Sequence, residues 1–192
     1  MQTLILASTS RYRRSLLERI APPFEVMAPG VDEALLAGES PRARAGRLSL
    51  AKARAVAERH PKAIVIGSDQ VAAAGDRVLE KPGDEATCRA QLGALSGNSA
   101  QFFTGCAVVS VDARLSLTHL DTTTVMFRAL SEKEINRYVA REQPFDCAGG
   151  FKVEALGITL FTRIDSHDPT ALIGLPLIWL AGALRTAGYL LP

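Results

Sequence analysis

Six side chains in this sequence have the types and placement to handle a phosphorylated ligand: Ser8, Arg13, Lys52 and Lys81 on one side, Glu33 and Asp69 on the other. Three cations and a hydroxyl suit phosphate oxygens. Two carboxylates are hard oxygen donors of the kind that take Mg²⁺ or Mn²⁺. Together they point to attack of water on phosphorus. A metal would serve as Lewis acid, a carboxylate would orient or deprotonate the water, and Lys/Arg would steady the departing charge.

These residues need elements to carry them. Leu4–Ala7 reads as a strand and Arg11–Ile20 as a helix capped by Ser10, an arrangement that turns helix N–H groups toward an anion. Ser40-Pro41 opens a helix running to about Arg59, and Ala63–Gly67 is a buried strand that puts Asp69 at its C-terminal end. In open α/β sheets that edge is where ligands bind. Asp84 caps a helix ending near Ser96-Gly97. Phe102–Val111 and Thr122–Phe127 are strands, and Ser131–Glu134 is a capping box for a helix to about Arg141. Ile158–Arg163 is a further strand, and Pro176–Ala187 a last helix closed by Gly188. This succession is an α/β single domain with a mixed sheet spanning residues 1–192.

At 100° per residue Arg13 shares the face of Leu16, Leu17 and Ile20, and Lys52 falls inside the stripe of Ala45, Leu48, Ala51, Ala55 and Val56. An inward cation needs a partner. Each has an ordinary explanation, an internal ion pair or a snorkelling side chain. One shared anion would explain both. Arg11 and Arg14 read as solvated, and Arg44 and Arg59 lie at helix ends where a long side chain reaches water. Asp69 alone would read as a turn residue or cap, and Lys81 as a loop lysine.

Composition removes other classes. A net charge of +2 with dispersed basic residues excludes a nucleic-acid groove, so the ligand is small. The three cysteines are far apart, without zinc spacing or a disulfide framework. No leader or run of about 20 apolar residues is present, so no membrane role and a cytoplasmic location are expected. Ser8 and Ser10 lack the surroundings of a nucleophile, and His60, His119 and His167 are assigned no chemistry. Leu175, Leu177, Ile178 and Trp179 read as core or as a dimer surface.

The motifs LASTS-x-x-R-R, Val31-Asp-Glu33, the Lys52 helix, GSDQ, EKPG, LSGN followed by FFTG, CAGGFKVEALG and GLPL resemble, in order along nearly the whole chain, those of the Maf family of nucleotide pyrophosphatases. The resemblance implies a Maf/ITPase-like fold with an elongated mixed sheet flanked by helices and a deep nucleotide cleft, often as a homodimer. It implies divalent-metal-dependent (Mg, Mn or Co) hydrolysis of nucleoside triphosphates to monophosphate and pyrophosphate. The proton-acceptor aspartate falls on Asp69, with Glu33, Lys52 and Lys81 beside it in catalysis, Glu33 and Asp69 as metal ligands, and Ser8 and Arg13 on the substrate. Arg11 stands where many members have proline.

Ser68-Asp69-Gln70 and Phe151–Glu154 are similar to the YceF-like branch, whose implied substrate is 7-methyl-GTP in a housecleaning role. The specificity positions then map to Tyr12, Gln70 and Glu154. A Tyr12 face would attract the cationic methylated purine, Glu154 would accept from guanine N–H groups, and Gln70 would add an amide contact. Lys152 is expected on phosphate or ribose. The rivals are a broader dTTP/UTP or damaged-nucleotide pyrophosphatase, and a nucleotide-binding regulator of cell division with weak turnover.

Overall fold

The computed structural model describes residues 2–75 and 77–192. In chain order the elements are β1 (Leu4–Ala7), α1 (Arg11–Leu17), β2 (Glu25–Val26), α2 (Pro41–Ala57), β3 (Ile64–Ala74), β4 (Arg77–Leu79), α3 (Glu85–Leu95), β5 (Ser99–Ser110), β6 (Leu115–Phe127), α4 (Glu132–Glu142), β7 (Phe161–Asp165) and α5 (Leu177–Thr186). The sheet order is β2-β1-β3-β5-β6-β7, with β4 pairing β3. β1 runs parallel to β2 and β3, whereas β3/β4 and β6/β7 are antiparallel, so the sheet is mixed.

The helices start where local chemistry dictates. Ser40 Oγ accepts from the Ala43 N–H at 3.2 Å with Pro41 in the first turn, and Asp84 Oδ1 accepts from Thr87 N–H at 2.8 Å. Ser131 and Glu134 form the reciprocal capping box. α1 is shorter than its apolar pattern, ending at Leu17. Residues 18–20 continue as turns ahead of Pro22-Pro23, which disfavour helical backbone before them.

Two compact units divide the packing: Met1–Gln70 with Phe103–Asp121 and Asp168–Pro192, and Val71–Phe102 with Thr122–His167. In the first unit both sheet faces are buried, and side chains alternate between them. Leu4, Leu6, Ile64, Ile66, Cys106 and Val108 pack with Leu16, Leu17 of α1 and Leu180, Leu184 of α5. Ile5, Ala7, Val65, Ala107 and Val109 meet Ala53, Val56 and Ala57 of α2. Two covered faces explain why these strands read as continuous apolar runs. In the second unit Phe102, Phe127, Phe151 and Phe161 meet edge-on at centroid distances of 4.9–5.7 Å.

Four strands differ in their bounds from the sequence reading, the least of them β5, which runs Ser99–Ser110 rather than Phe102–Val111. β3 does not stop at Gly67 but continues to Ala74, so Asp69 lies inside a strand. Its parallel neighbour β1 ends opposite Gly67, and Asp69 emerges just past that end. β6 begins at Leu115 rather than Thr122, a half-buried stretch with Ser, Thr and His interleaved. Residues 156–160 form a 3₁₀ turn in place of a strand, and β7 starts only at Phe161. There Thr159 Oγ1 donates to the Leu156 carbonyl at 2.8 Å, a local bond that competes with the ladder.

The cysteines are all thiols, and burial raises Cys88 to about 11 and Cys106 to about 12. Among the described residues no helix is long and apolar enough to cross a membrane.

Candidate active site

The site of the first unit begins with two glycines. A Cβ on Gly67 of β3 would overlap the Ser49 carbonyl oxygen and the Ala53 nitrogen, and one on Gly105 of β5 would overlap the Ala45 carbonyl and Ser49 Oγ. The α2 backbone therefore rests directly on the sheet, closer than any side chain would permit. One turn on, this brings Lys52 to Asp69: Nζ lies 2.6 Å from Oδ1, with both residues buried. The same ammonium lies 2.8 Å from Glu33 Oε1, which reaches in from solvent. Lys52 is thus a buried ion pair with two carboxylates. Asp69 Oδ2 has no protein donor among the described residues.

Glu33 sits on an irregular stretch between β2 and α2, yet its backbone is clasped. Arg44 Nη2 donates to the Glu33 carbonyl at 3.3 Å, and Arg47 Nη2 to the Ala34 carbonyl at 3.1 Å. Arg47 also grips both Glu39 oxygens at 2.5 and 2.7 Å, which holds that carboxyl below its ordinary range. Arg59 ties down the carbonyls of Ala28 and Pro29.

Arg13 has neutral partners. Its Nε donates to the Gly174 carbonyl at 3.1 Å, and Nη1 to Ser8 Oγ at 3.4 Å. Burial lowers its pKa from the ordinary value, while the charges of Asp69 and Glu33 act in the opposite direction. Among the described residues no carboxylate bonds to this guanidinium. Ser8 Oγ also accepts from Ser10 N–H at 3.2 Å.

Gln70 is oriented by its amide nitrogen, which lies 3.0–3.1 Å from Thr104 Oγ1 and the Ala171 and Leu172 carbonyls. Oε1 is therefore the atom it can turn to a ligand. Arg11, read as solvated, places Cζ 4.8 Å from the Tyr12 ring centroid and donates to its hydroxyl at 2.8 Å. One face of Tyr12 thus already carries a cation.

Lys81, Lys152 and Glu154 belong to the second unit. Lys81 is exposed on the turn after β4, which is pinned on both sides: Gln91 Nε2 donates to the Glu80 carbonyl, and Gly83 N–H to the Phe145 carbonyl, each at 3.0 Å. Lys152 Nζ is turned to the end of α4, 2.8 Å from the Glu142 carbonyl and 3.4 Å from Glu142 Oε1. Glu154 stands exposed on a turn closed by Gly157 N–H on the Lys152 carbonyl at 2.9 Å.

The donor set can be tested against a metal ion. Among the described residues no group of three or more His, Cys, Asp or Glu side chains gathers, and Glu33 and Asp69 are joined through Lys52. Two carboxylates suit Mg²⁺ when the remaining ligands are phosphate oxygens and water. The residues fit a cation that arrives with its phosphate, not one held by protein alone.

Residues 3–187 match the family described as Maf-like protein. The chain belongs to the Maf family. It is similar to proteins named 7-methyl-GTP pyrophosphatase from Aromatoleum aromaticum, 52% identical over 98% of this chain and 97% of that one, and from Xanthomonas oryzae pv. oryzae, 52% identical over the full length of both. A protein of the same name from Chromohalobacter salexigens is 51% identical over 98% of this chain and 97% of that one. Among solved structures, the Staphylococcus aureus Ham1 protein matches with a TM-score of 0.54 and 15% identity, covering 97% of this chain and all of the other, which is a likeness of fold.

Sequence reasoning missed Arg44 and Arg47 of this Maf chain as supports of Glu33. Their position eight and five residues before Lys52 was the only signal, and nothing local shows that a helix arginine will reach back to an upstream carbonyl.

Proposed function

We propose that this Maf protein is a nucleoside triphosphate pyrophosphatase acting on 7-methyl-GTP, with 7-methyl-GMP and pyrophosphate as products. The observation that carries the reading is the convergence of Asp69 and Glu33 on Lys52 in a chain half-identical to proteins of that name. Arg13, with neutral partners, binds phosphate oxygens beside Ser8. Asp69 Oδ2 orients the attacking water and takes its proton, while Lys52 holds Oδ1 and fixes the carboxylate's plane. Attack on the α-phosphorus breaks its bond to the bridging oxygen, and pyrophosphate leaves. Lys52 offsets the charge developing on the phosphate oxygens. A divalent cation held by Glu33 and Asp69 with the triphosphate would polarise its oxygens and neutralise developing charge.

For the base, Gln70 of the first unit has an acceptor to offer; Glu154, on the second unit, carries a carboxylate that suits the paired N–H donors of guanine better than thymine. The test is product analysis of purified protein with Mg²⁺ or Mn²⁺ against 7-methyl-GTP, GTP, dTTP, UTP and CTP. Release of pyrophosphate and 7-methyl-GMP ahead of the others is the expected result. Preference for dTTP and UTP would keep the reaction and overturn the base assignment. Binding without turnover under either metal would make the protein a nucleotide-binding regulator instead.

A further inference from the structure

The strap from Asp168 to Leu177 is tied down more firmly than a connection between elements requires. Asp168 is buried, at 3% exposure. Its Oδ1 accepts from Thr170 N–H at 2.9 Å and Thr170 Oγ1 at 2.6 Å, and its Oδ2 accepts from Ile178 N–H at 2.6 Å. Ile178 is the second residue of α5, whose own N-cap, Pro176, makes no side-chain cap bond. Asp168 supplies that missing cap from ten residues upstream. Thr170 Oγ1 also lies 2.7 Å from the Leu175 carbonyl and accepts from Leu177 N–H at 2.9 Å.

Between these anchors lies Gly174, with φ 129° and its N–H on the Ala171 carbonyl at 2.9 Å. Its carbonyl accepts from Arg13 Nε at 3.1 Å, and Ser68 Oγ, on the residue before Asp69, lies 2.8 Å from it and 2.8 Å from the Gly105 carbonyl. Its α-carbon also lies against the arginine: a Cβ there would stand 3.3 Å from both Arg13 Cγ and Nε. The Nε edge of the guanidinium is thus aligned by the strap, and Nη1 lies on Ser8 Oγ at 3.4 Å.

We propose that Asp168 is a positioning residue. By capping α5 and tethering Thr170, it fixes the Gly174 carbonyl that aims Arg13 at the substrate's phosphates. The inference rests on the reading of Arg13 as a phosphate-binding side chain. An amide at position 168 must turn an NH₂ toward either the Ile178 N–H or the Thr170 N–H, so one anchor is lost in either orientation.

The experiment is a double-mutant cycle on the full chain, read as affinity for inorganic tripolyphosphate by calorimetry, with melting temperature recorded for every variant. Asp168→Asn and Arg13→Ala are each expected to weaken binding roughly tenfold, and the double variant to bind no worse than Arg13→Ala alone. Additive losses, unchanged affinity with only a lower melting temperature, or no tripolyphosphate binding by the unaltered protein would overturn the proposal. If Asp168→Asn fails to fold, Thr170→Val removes the tethering hydroxyl and carries the same cycle. Failure of the pyrophosphatase reading is visible separately, as a protein that binds tripolyphosphate yet hydrolyses no nucleotide.

Discussion

Lys52 Nζ lies 2.6 Å from Asp69 Oδ1 across the contact between α2 and β3, and 2.8 Å from Glu33 Oε1 on the irregular stretch outside it. One buried ammonium therefore sets the position of both carboxylates. Because Lys52 engages a single oxygen of Asp69, the other remains available to a water molecule.

That division of labour predicts the behaviour of Asp69→Asn. The variant keeps an oxygen for Lys52 and loses the acceptor for a proton. Turnover of 7-methyl-GTP should fall at least about a hundredfold, the usual scale for a general base. Affinity for a non-hydrolysable triphosphate analogue should stay within about threefold. Parallel loss of binding and turnover would reduce Asp69 to a scaffold for Lys52.

Gly67 is the residue that allows this approach. Replacing it with Ala pushes a methyl into the α2 backbone at Ser49 and Ala53, where no flexible side chain can yield. Overpacking of this kind costs about 1–3 kcal/mol, and more when backbone must move. Urea unfolding should show it, and the folded fraction should lose activity as α2 carries Lys52 away. A variant as stable and active as the parent would contradict this packing.

Glu154 is assigned to the base and Lys152 is held on Glu142, so their substitutions should differ. Glu154→Gln is expected to narrow the preference for 7-methyl-GTP over UTP by roughly tenfold, the worth of a charge-assisted hydrogen bond, while changing UTP turnover little. Equal losses on both nucleotides would remove Glu154 from base recognition. Lys152→Met should register as lower stability at the end of α4 with substrate preference unchanged.

The capping box of α4 makes a pH prediction. Hydrogen bonds from the Ser131 hydroxyl and N–H, with Arg128 adding to them, bring Glu134 from 4.5 down to about 2. A depressed carboxylate pKa stabilises the folded state in full above the unfolded value, and that contribution disappears as pH falls from about 4.5 toward about 2. Glu134→Gln should therefore unfold at lower urea than the parent at neutral pH, with the gap closing in acid. A gap that is constant with pH would show that the charge plays no part.

Local chemistry by itself determined much of this protein. Ser10, Ser40, Asp84 and Ser131 cap the helices where their side-chain oxygens meet N–H groups three residues on, a bond that needs no other part of the chain. The helical stripe holding Lys52 already required an inward cation with a partner, and the ordered motifs named the family. Tertiary structure alone decided what those charges meet. Arg13 had two readings, an internal ion pair or a bound anion, and the packing gives it instead the Gly174 carbonyl, 161 positions away. Asp69 looked like the end of a strand because apolar character stops at Gly67, but backbone pairing carries β3 on to Ala74. Gln70 showed its amide without showing which end is tied, and Asp168 gave no sign of capping a helix whose own cap is a proline. Periodicity and capping are properties of neighbours in sequence. The partner of a buried charge is a property of whichever distant backbone the packing brings within 3 Å or so.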